Sequence, residues 1–239
     1  KYKLIGQIVA ASIVVLYGGL VIKSVDAFGL YIDFGIFKEF ITIIFIVGMI
    51  NAVNIIDGLD GLASGLSLIF FITIAAIALI QAKYRGLDIY LTLIMIGATS
   101  GFLIHNFNPA KIYLGDNGAM FLGYIISVIA ILGFKAVTIT SFVIPIFVMA
   151  IPIFDTLFAI LRRIKKKKPI YEPDKEHLHH KLLSLGLSHR KTVLILYLIS
   201  VIFAIGSMIY ALVEQKLGII IYIILLTVIV LFMVKFGKE

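Results

Sequence analysis

The sequence predicts an all-α polytopic membrane protein with about eight transmembrane helices. Of its 239 residues, 62% are hydrophobic and only 14% are charged, and the mean hydropathy is +1.13. Apolar stretches of about 20 residues, the length that crosses a bilayer as a helix, recur from one end of the chain to the other. This composition excludes a soluble enzyme and a disordered tail. The absence of cysteine excludes a disulfide scaffold and thiolate chemistry.

The apolar stretches follow one another with short connections, so residues 1–239 are predicted to form a single integral-membrane domain. The second and fourth stretches are short and are expected to be lined partly by protein. Pro145 and Pro152 predict a kink in the sixth stretch. The stretches cover residues 4–22, 40–55, 62–82, 90–105, 119–134, 140–161, 192–213 and 217–236.

The positive charges predict the orientation of the chain. A net charge of +8 is compatible with nucleic-acid binding or with basic cytoplasmic loops, and the position of the charges favours the loops. When the connections are assigned to alternate sides, most of the 21 Lys and Arg residues fall on one side, including the run at 165–168. The positive-inside rule therefore places both termini and the loop 162–191 in the cytoplasm of a multi-pass plasma-membrane protein. Membrane lipid is an expected partner, and nucleic acid is not.

Polar residues cluster at the junction of the second and third stretches, in residues 51–63 (NAVNIIDGLDGLA). Asn54, Asp57 and Asp60 are three residues apart, so they share a helix face if the helix continues. A lone Asp-Gly pair usually indicates only a turn between helices. Carboxylates and amides at the edge of the hydrocarbon cost more than a turn requires, which favours a functional cluster of oxygen ligands.

Two further carboxylates lie next to apolar stretches. Asp116 stands between glycines in the loop 105–118, just before an apolar helix, where it is either a helix cap or a metal ligand. Its predicted position on the same membrane face as Asp57 favours the role of metal ligand over that of helix cap. Asp155 lies inside the sixth stretch, where an ionisable residue indicates function or pairing with a basic residue near the helix end, such as Arg163.

The loop 162–191 is the only long polar segment, and it contains four of the five histidines, His177, His179, His180 and His189. Anionic lipid headgroups explain its lysines but not its clustered imidazoles. The chain offers no cysteine to complete a tetrahedral zinc site, so phosphate binding or acid/base chemistry is favoured. Oxygen ligands, imidazoles and lysines on one membrane face fit phosphoryl transfer from a soluble donor to a lipid, with Mg²⁺, or Mn²⁺ in its place, as the metal ion.

Four segments in this order resemble the polyprenyl-phosphate N-acetylhexosamine-1-phosphate transferase family, over residues 1–191. They are NAVNIIDGLDGLA, YLGDNGAMFLG, PIFDTLFAILRR and PDKEHLHHKLLSLGLSHRK. The HLHH run is more similar to the undecaprenyl-phosphate GlcNAc-1-phosphate transferase branch than to the peptidoglycan branch. The resemblance implies transfer of a sugar 1-phosphate from a UDP-sugar to undecaprenyl phosphate on the cytoplasmic face, with Mg²⁺ and release of UMP.

The resemblance also implies roles for individual residues. Asp116 is the expected direct metal ligand, and the amide oxygen of Asn54 is the expected second one. Asp57 and Asp60 would organise the nucleotide and the catalytic centre. The histidines would contact the diphosphate or the leaving UMP, namely His177, His179 and His180. Further expected substrate-binding residues are Asn51, Asn106, Lys111, Asp155, Arg163 and Lys175.

The family differs from this chain in two respects. It has an adjacent aspartate pair just before the helix that opens here as KLIGQIVAA, and it usually has more spans. The chain is therefore expected to lack an N-terminal portion and to be inactive alone. The alternatives are a phospho-MurNAc-pentapeptide transferase and an ion-coupled transporter, which also uses intramembrane carboxylates. The sequence leaves the choice of UDP-sugar and a direct or covalent mechanism open, and it is compatible with a homodimer.

Overall fold

The structure is a computed structural model that describes residues 2–27, 30–82, 86–135, 143–167 and 177–235. Within these ranges the regular secondary structure is helical apart from one β-hairpin, as the predicted fold class requires. The helices are α1 (Tyr2–Ser12), α2 (Lys38–Ile56), α3 (Leu62–Ile80), α4 (Leu87–Asn106), α5 (Gly115–Lys135), α6 (Val143–Val148), α7 (Ala150–Lys165), α8 (Leu178–Ser184), α9 (His189–Leu212) and α10 (Gln215–Lys235).

Five helices of the described part are long and apolar enough to cross a membrane. They are α2 with the short turn before it, α3, α4, α5 and α9. The first and eighth apolar stretches form shorter apolar helices, Tyr2–Tyr17 and Gln215–Leu231. The chain is thus a multi-pass membrane protein, and five of the eight predicted spans meet this criterion.

The sixth apolar stretch is broken in the way that its prolines predict. The helix stops at Met149, between α6 and α7, where φ and ψ are −97° and 25°. Pro152 has no N–H to donate to the carbonyl of Val148, and the hydroxyl of Ser200 on α9 lies 3.5 Å from that carbonyl oxygen. The freed backbone acceptor therefore faces a polar group of a neighbouring helix.

A β-hairpin follows α1, and the sequence did not predict it. Strand β1 (Ser24–Ala27) pairs antiparallel with β2 (Leu30–Asp33), with Val25 opposite Ile32. Strands of four residues are too short for an alternating pattern to be recognised. The backbone N–H of Ile22 donates to the hydroxyl of Thr42 at 3.0 Å, which ties the hairpin to α2.

The core forms where α3 contacts its neighbours. Phe70, Phe71 and Ile74 on α3 are fully buried, and α3 packs against both α4 and α9. Helices α2 and α5 cross closely at Gly123, where a Cβ would lie 2.6 Å from the Cα of Ile50. This packing brings together the C-terminal ends of α2 and α4 and the N-terminal ends of α3, α5 and α9.

Candidate active site

The turn between α2 and α3 presents Asp57 and Asp60. Helix α2 ends at Ile56, and Asp57 follows with φ −75° and ψ 44°. Helix α3 begins after Gly61, whose φ of +81° lies in the left-handed region that favours glycine. Helix α2 does not continue beyond Ile56, so Asp57 and Asp60 do not share a helix face with Asn54. Both carboxylates are instead carried by a tight turn.

Asn106, at the end of α4, joins this turn to the next loop. Its side-chain oxygen accepts hydrogen bonds from the N–H of Gly61 at 3.1 Å and from the hydroxyl of Ser64 at 2.7 Å. Its side-chain nitrogen donates to the carbonyl of Ile112 at 3.0 Å. Asn106 is 3% exposed. The structure thus places it between the two loops, and a contact with substrate stays a prediction.

Asp60 and helix α9 complete the link between the two loops. One carboxylate oxygen of Asp60 accepts from the side chain of Asn108 at 3.0 Å and from the N–H of Ala110 at 3.2 Å. From α9, the side chain of Arg190 donates to the carbonyl of Asn108 at 2.8 Å. The hydroxyl of Tyr197, also on α9, donates to the carbonyl of Gly61. The Asp60 carboxylate is thus bonded to the loop after α4, and α9 holds both this loop and the turn that carries Asp60.

Asp116 lies where α1, α2 and α5 meet. One of its oxygens accepts a hydrogen bond from the side-chain nitrogen of Asn54 at 3.1 Å, and the other pairs with the ammonium of Lys3. The Asp116 side chain is 56% exposed, so it is open to a ligand. An exposed ion pair of this kind contributes little to stability.

A second polar contact lies one helical turn along α1 from Lys3, at Gln7. The side-chain nitrogen of Asn51 donates to the side-chain oxygen of Gln7 at 2.8 Å and to the carbonyl of Val47 at 2.7 Å. The Gln7 nitrogen lies 3.3 Å from the sulfur of Met120. Asn51, predicted to bind substrate, thus contacts α1, and its substrate role stays a prediction.

The three carboxylates form an acidic cluster. Burial, together with the neighbouring charges of Asp116 and Asp60, raises the pKa of Asp57 to about 7. In the described part of the chain, no three acidic or histidine side chains converge as a complete metal site. Mg²⁺ is commonly held by one or two carboxylates together with substrate phosphates and water. The exposed Asp116 beside the Asn54 amide, whose oxygen can also turn toward an ion, fits that pattern.

Asp155 joins α7 to residues 177–180, which are called the histidine segment below. Its carboxylate accepts a hydrogen bond from Nδ1 of His177 at 3.0 Å and another from the N–H of Leu178 at 2.9 Å. From the sequence, one expected partner of Asp155 was a basic residue near the end of the same helix. The partner observed in the structure is His177.

His179 connects the histidine segment to the turn that carries Asp57. Its ring lies against Gly58, where a Cβ would be 2.6 Å from Nε2. It is parallel to the His177 ring at 5.8 Å and lies 4.2 Å from the His180 ring. Burial and the charge of His180 lower the pKa of His179 to about 4, so its imidazole is neutral at pH 7. Neither ring nitrogen has a hydrogen-bond partner among the described residues.

The structure does not bring every predicted residue into this cluster. Lys111 is exposed on its loop, and Arg163 is half-buried near the end of α7. No hydrogen bond or ion pair joins either of them to the acidic cluster within the described ranges. Lys175 lies outside the described residues, in 168–176.

Sequence reasoning missed several residues that shape the site. Gln7 carried a signal, because a polar amide inside an apolar stretch indicates a contact. Lys3 was counted only as a cytoplasmic charge, although it pairs with Asp116. Tyr197 gave no signal, since a tyrosine in an apolar helix is common in protein cores.

Membrane-length helices whose ends gather carboxylates, amides and imidazoles define a multi-pass membrane protein with a polar site at the helix ends. The sequence comparisons give the family. Residues 1–134 match glycosyl transferase family 4, and the chain belongs to this family.

The chain is similar to three named relatives. It is 53% identical over 148 residues, 62% of this chain and 41% of the relative, to the probable undecaprenyl-phosphate N-acetylglucosaminyl 1-phosphate transferase of Bacillus subtilis. It is 31% identical over 226 residues, 86% of this chain and 56% of the relative, to the decaprenyl-phosphate N-acetylglucosaminephosphotransferase of Mycolicibacterium smegmatis. It is 35% identical over 213 residues, 85% of this chain and 62% of the relative, to the phospho-N-acetylmuramoyl-pentapeptide-transferase of Halalkalibacterium halodurans. The chain thus spans about half the length of these relatives.

Proposed function

We propose that the protein transfers N-acetylglucosamine 1-phosphate from UDP-GlcNAc to undecaprenyl phosphate, as the first membrane step of cell-envelope polysaccharide synthesis. The reaction takes place on the cytoplasmic face of the plasma membrane. A phosphate oxygen of the acceptor forms a bond to the β-phosphorus, directly or through an aspartyl-phosphate, and the bond from that phosphorus to the bridging oxygen breaks. UMP leaves with the bridging oxygen.

The observation that carries this proposal is the meeting of two segments at the ends of the helices. The acidic cluster lies beside Gly58, and His179 packs against the same glycine. Carboxylates suit a divalent cation, and imidazoles suit the phosphates that the cation would neutralise. The names of the relatives from Bacillus subtilis and Mycolicibacterium smegmatis support the same donor class and a polyprenyl acceptor.

Asp116 and Asn54 would hold Mg²⁺, for which Mn²⁺ is an expected substitute. The bound ion would supply charge neutralisation on the diphosphate oxygens. Lys3 places a second positive charge beside the same carboxylate and can turn toward a bound phosphate. The turn that carries Asp57 and Asp60 is fixed by hydrogen bonds between backbone N–H groups and side-chain oxygens, so the Asp60 carboxylate keeps its position while the substrates enter and leave.

The peptidoglycan alternative is less favoured. The Halalkalibacterium halodurans relative is 35% identical, against 53% for the Bacillus subtilis relative over its shorter match. A transporter is also less favoured, since the polar contacts lie at helix ends, whereas a carrier site lies near the midplane of the membrane.

The test uses membranes from cells that express the complete reading frame encoding this chain. The membranes receive UDP-GlcNAc labelled at the β-phosphorus, undecaprenyl phosphate and Mg²⁺, and a matched sample receives EDTA. We expect label in the lipid fraction only when the metal ion is present. Parallel samples with UDP-GalNAc and UDP-MurNAc-pentapeptide establish the sugar preference. No label in lipid from any of these donors would overturn the proposal.

A further inference from the structure

A buried carboxylate on α7 uses both of its oxygens to hold the histidine segment. Asp155 is 3% exposed, and one oxygen accepts from Nδ1 of His177 while the other accepts from the backbone N–H of Leu178. The side chains around it are apolar and line a small cleft, namely Ile151, Phe154, Phe158, Leu178 and Ile229. A carboxylate in apolar surroundings is costly unless it is paired, so this pairing is expected to persist.

The pairing determines which nitrogen of His177 carries a proton. An ionised carboxylate only accepts hydrogen bonds, so Nδ1 must be the protonated nitrogen. Nε2 is then the atom left to interact with another group. The titratable groups that face this ring are Asp155 from α7 and, from α8, His179 and His180.

His177 stands at one end of a row of rings that leads to the acidic cluster. The rings of His177 and His179 are parallel, and His179 lies against the turn that carries Asp57. A displaced His177 would therefore disturb groups on the side of the site where the phosphates of the nucleotide are expected. The carboxylate that pairs with His177 lines the apolar cleft.

We propose, on the basis of the function proposed above, that Asp155 is a positioning residue that orients His177 so that Nε2 faces a phosphate of the nucleotide. The phosphate belongs to the donor diphosphate or to the leaving UMP. Asp155 itself touches neither substrate. A purely structural role, in which Asp155 only accepts from Leu178, predicts a loss of stability without a specific loss of turnover.

The first variant is Asp155→Asn in the complete reading frame. An asparagine oxygen can still accept from Leu178, but its nitrogen donates toward Nδ1 and moves the imidazole proton to Nε2. We expect kcat with UDP-GlcNAc to fall about tenfold or more, while the melting temperature in detergent changes little. Asp33→Asn is the matched control, because it removes the same charge on the exposed hairpin, and we expect it to leave kcat unchanged.

A double-mutant cycle with His177→Gln shows whether Asp155 acts through the imidazole. Once His177 is replaced, we expect Asp155→Asn to lower kcat by at most about a further twofold, because the effects of substitutions at interacting residues are not additive. Asp155→Glu keeps a carboxylate acceptor, and we expect a smaller loss than from Asp155→Asn, with at most about a twofold loss remaining in the His177→Gln background. This second variant serves for the cycle if Asp155→Asn does not fold.

The outcomes separate this proposal from the function on which it rests. Equal losses from the Asp155 substitution in both backgrounds would overturn the positioning role alone. A drop in melting temperature without a change in kcat would overturn it as well, in favour of a structural anchor. Failure of the unsubstituted protein to label lipid would overturn the transferase function, and this inference with it.

Discussion

The contact between Gly58 and His179 gives a prediction whose size follows from the structure. A methyl group in Gly58→Ala would lie 2.6 Å from Nε2 of His179, whereas ordinary contact begins near 3.4 Å, so the ring must move by about 0.8 Å. His179 is 1% exposed and has little free space to move into. A misplacement of about 1 Å at a catalytic group can lower the rate about 10²-fold, and overpacking costs about 1–3 kcal/mol of stability.

The assay compares initial rates of lipid labelling by the unsubstituted protein and by Gly58→Ala, together with their melting temperatures in detergent. Gly97→Ala on α4 is the matched control, because no atom lies within 4 Å of a Cβ at that position. We expect Gly97→Ala to keep the full rate. A full rate for Gly58→Ala at an unchanged melting temperature would refute the inference that His179 must stay against this turn.

Three further predictions test the acidic cluster, the buried imidazole and the loop contact. Asp116→Asn should abolish transfer without rescue by excess Mg²⁺, because the ligand's charge is lost; rates equal to those of the unsubstituted protein would remove Asp116 from the site. The pKa of His179 is lowered from 6.5 to about 4 in the folded protein, so stability is complete above pH 6.5 and decreases as the pH falls toward 4. The decrease reaches about 3 kcal/mol, and melting in detergent at pH 7 and pH 5 should show a smaller difference for His179→Gln; equal differences would contradict the burial argument. Asn106→Ala leaves the Gly61 N–H without its acceptor and the Ser64 hydroxyl with only the Gly61 carbonyl at 3.2 Å, and it should cost about 1–3 kcal/mol, whereas exposed Asn117→Ala should cost little; equal melting temperatures for the two variants would count against the role of Asn106.

The sequence predicted those features that depend on neighbours along the chain. Apolar stretches indicated the spans, and Pro152 indicated the helix break that the structure shows between α6 and α7. Polar segments at the ends of alternate spans were expected on one face, and Asp60 and Asp116 do lie close enough to Asp57 to raise its pKa.

Features that depend on tertiary contacts could not be predicted in this way. The partner of Asp155 was sought on its own helix, where spacing is informative, but the partner is 22 residues away on another element. The pairing of Lys3 with Asp116 joins residues 113 positions apart. The hairpin has strands of four residues, too few to show an alternating pattern.

The two contacts of α1 with the rest of the bundle fix its register. Lys3 and Gln7 are one turn apart on α1, and Lys3 pairs with Asp116 of α5 while Gln7 pairs with Asn51 of α2. A slide of α1 by a single residue would be about 1.5 Å along its axis and about 100° around it. Such a slide would break both contacts together. A change in the tilt or depth of α1 in the bilayer would therefore remove the positive charge of Lys3 from beside the Asp116 carboxylate.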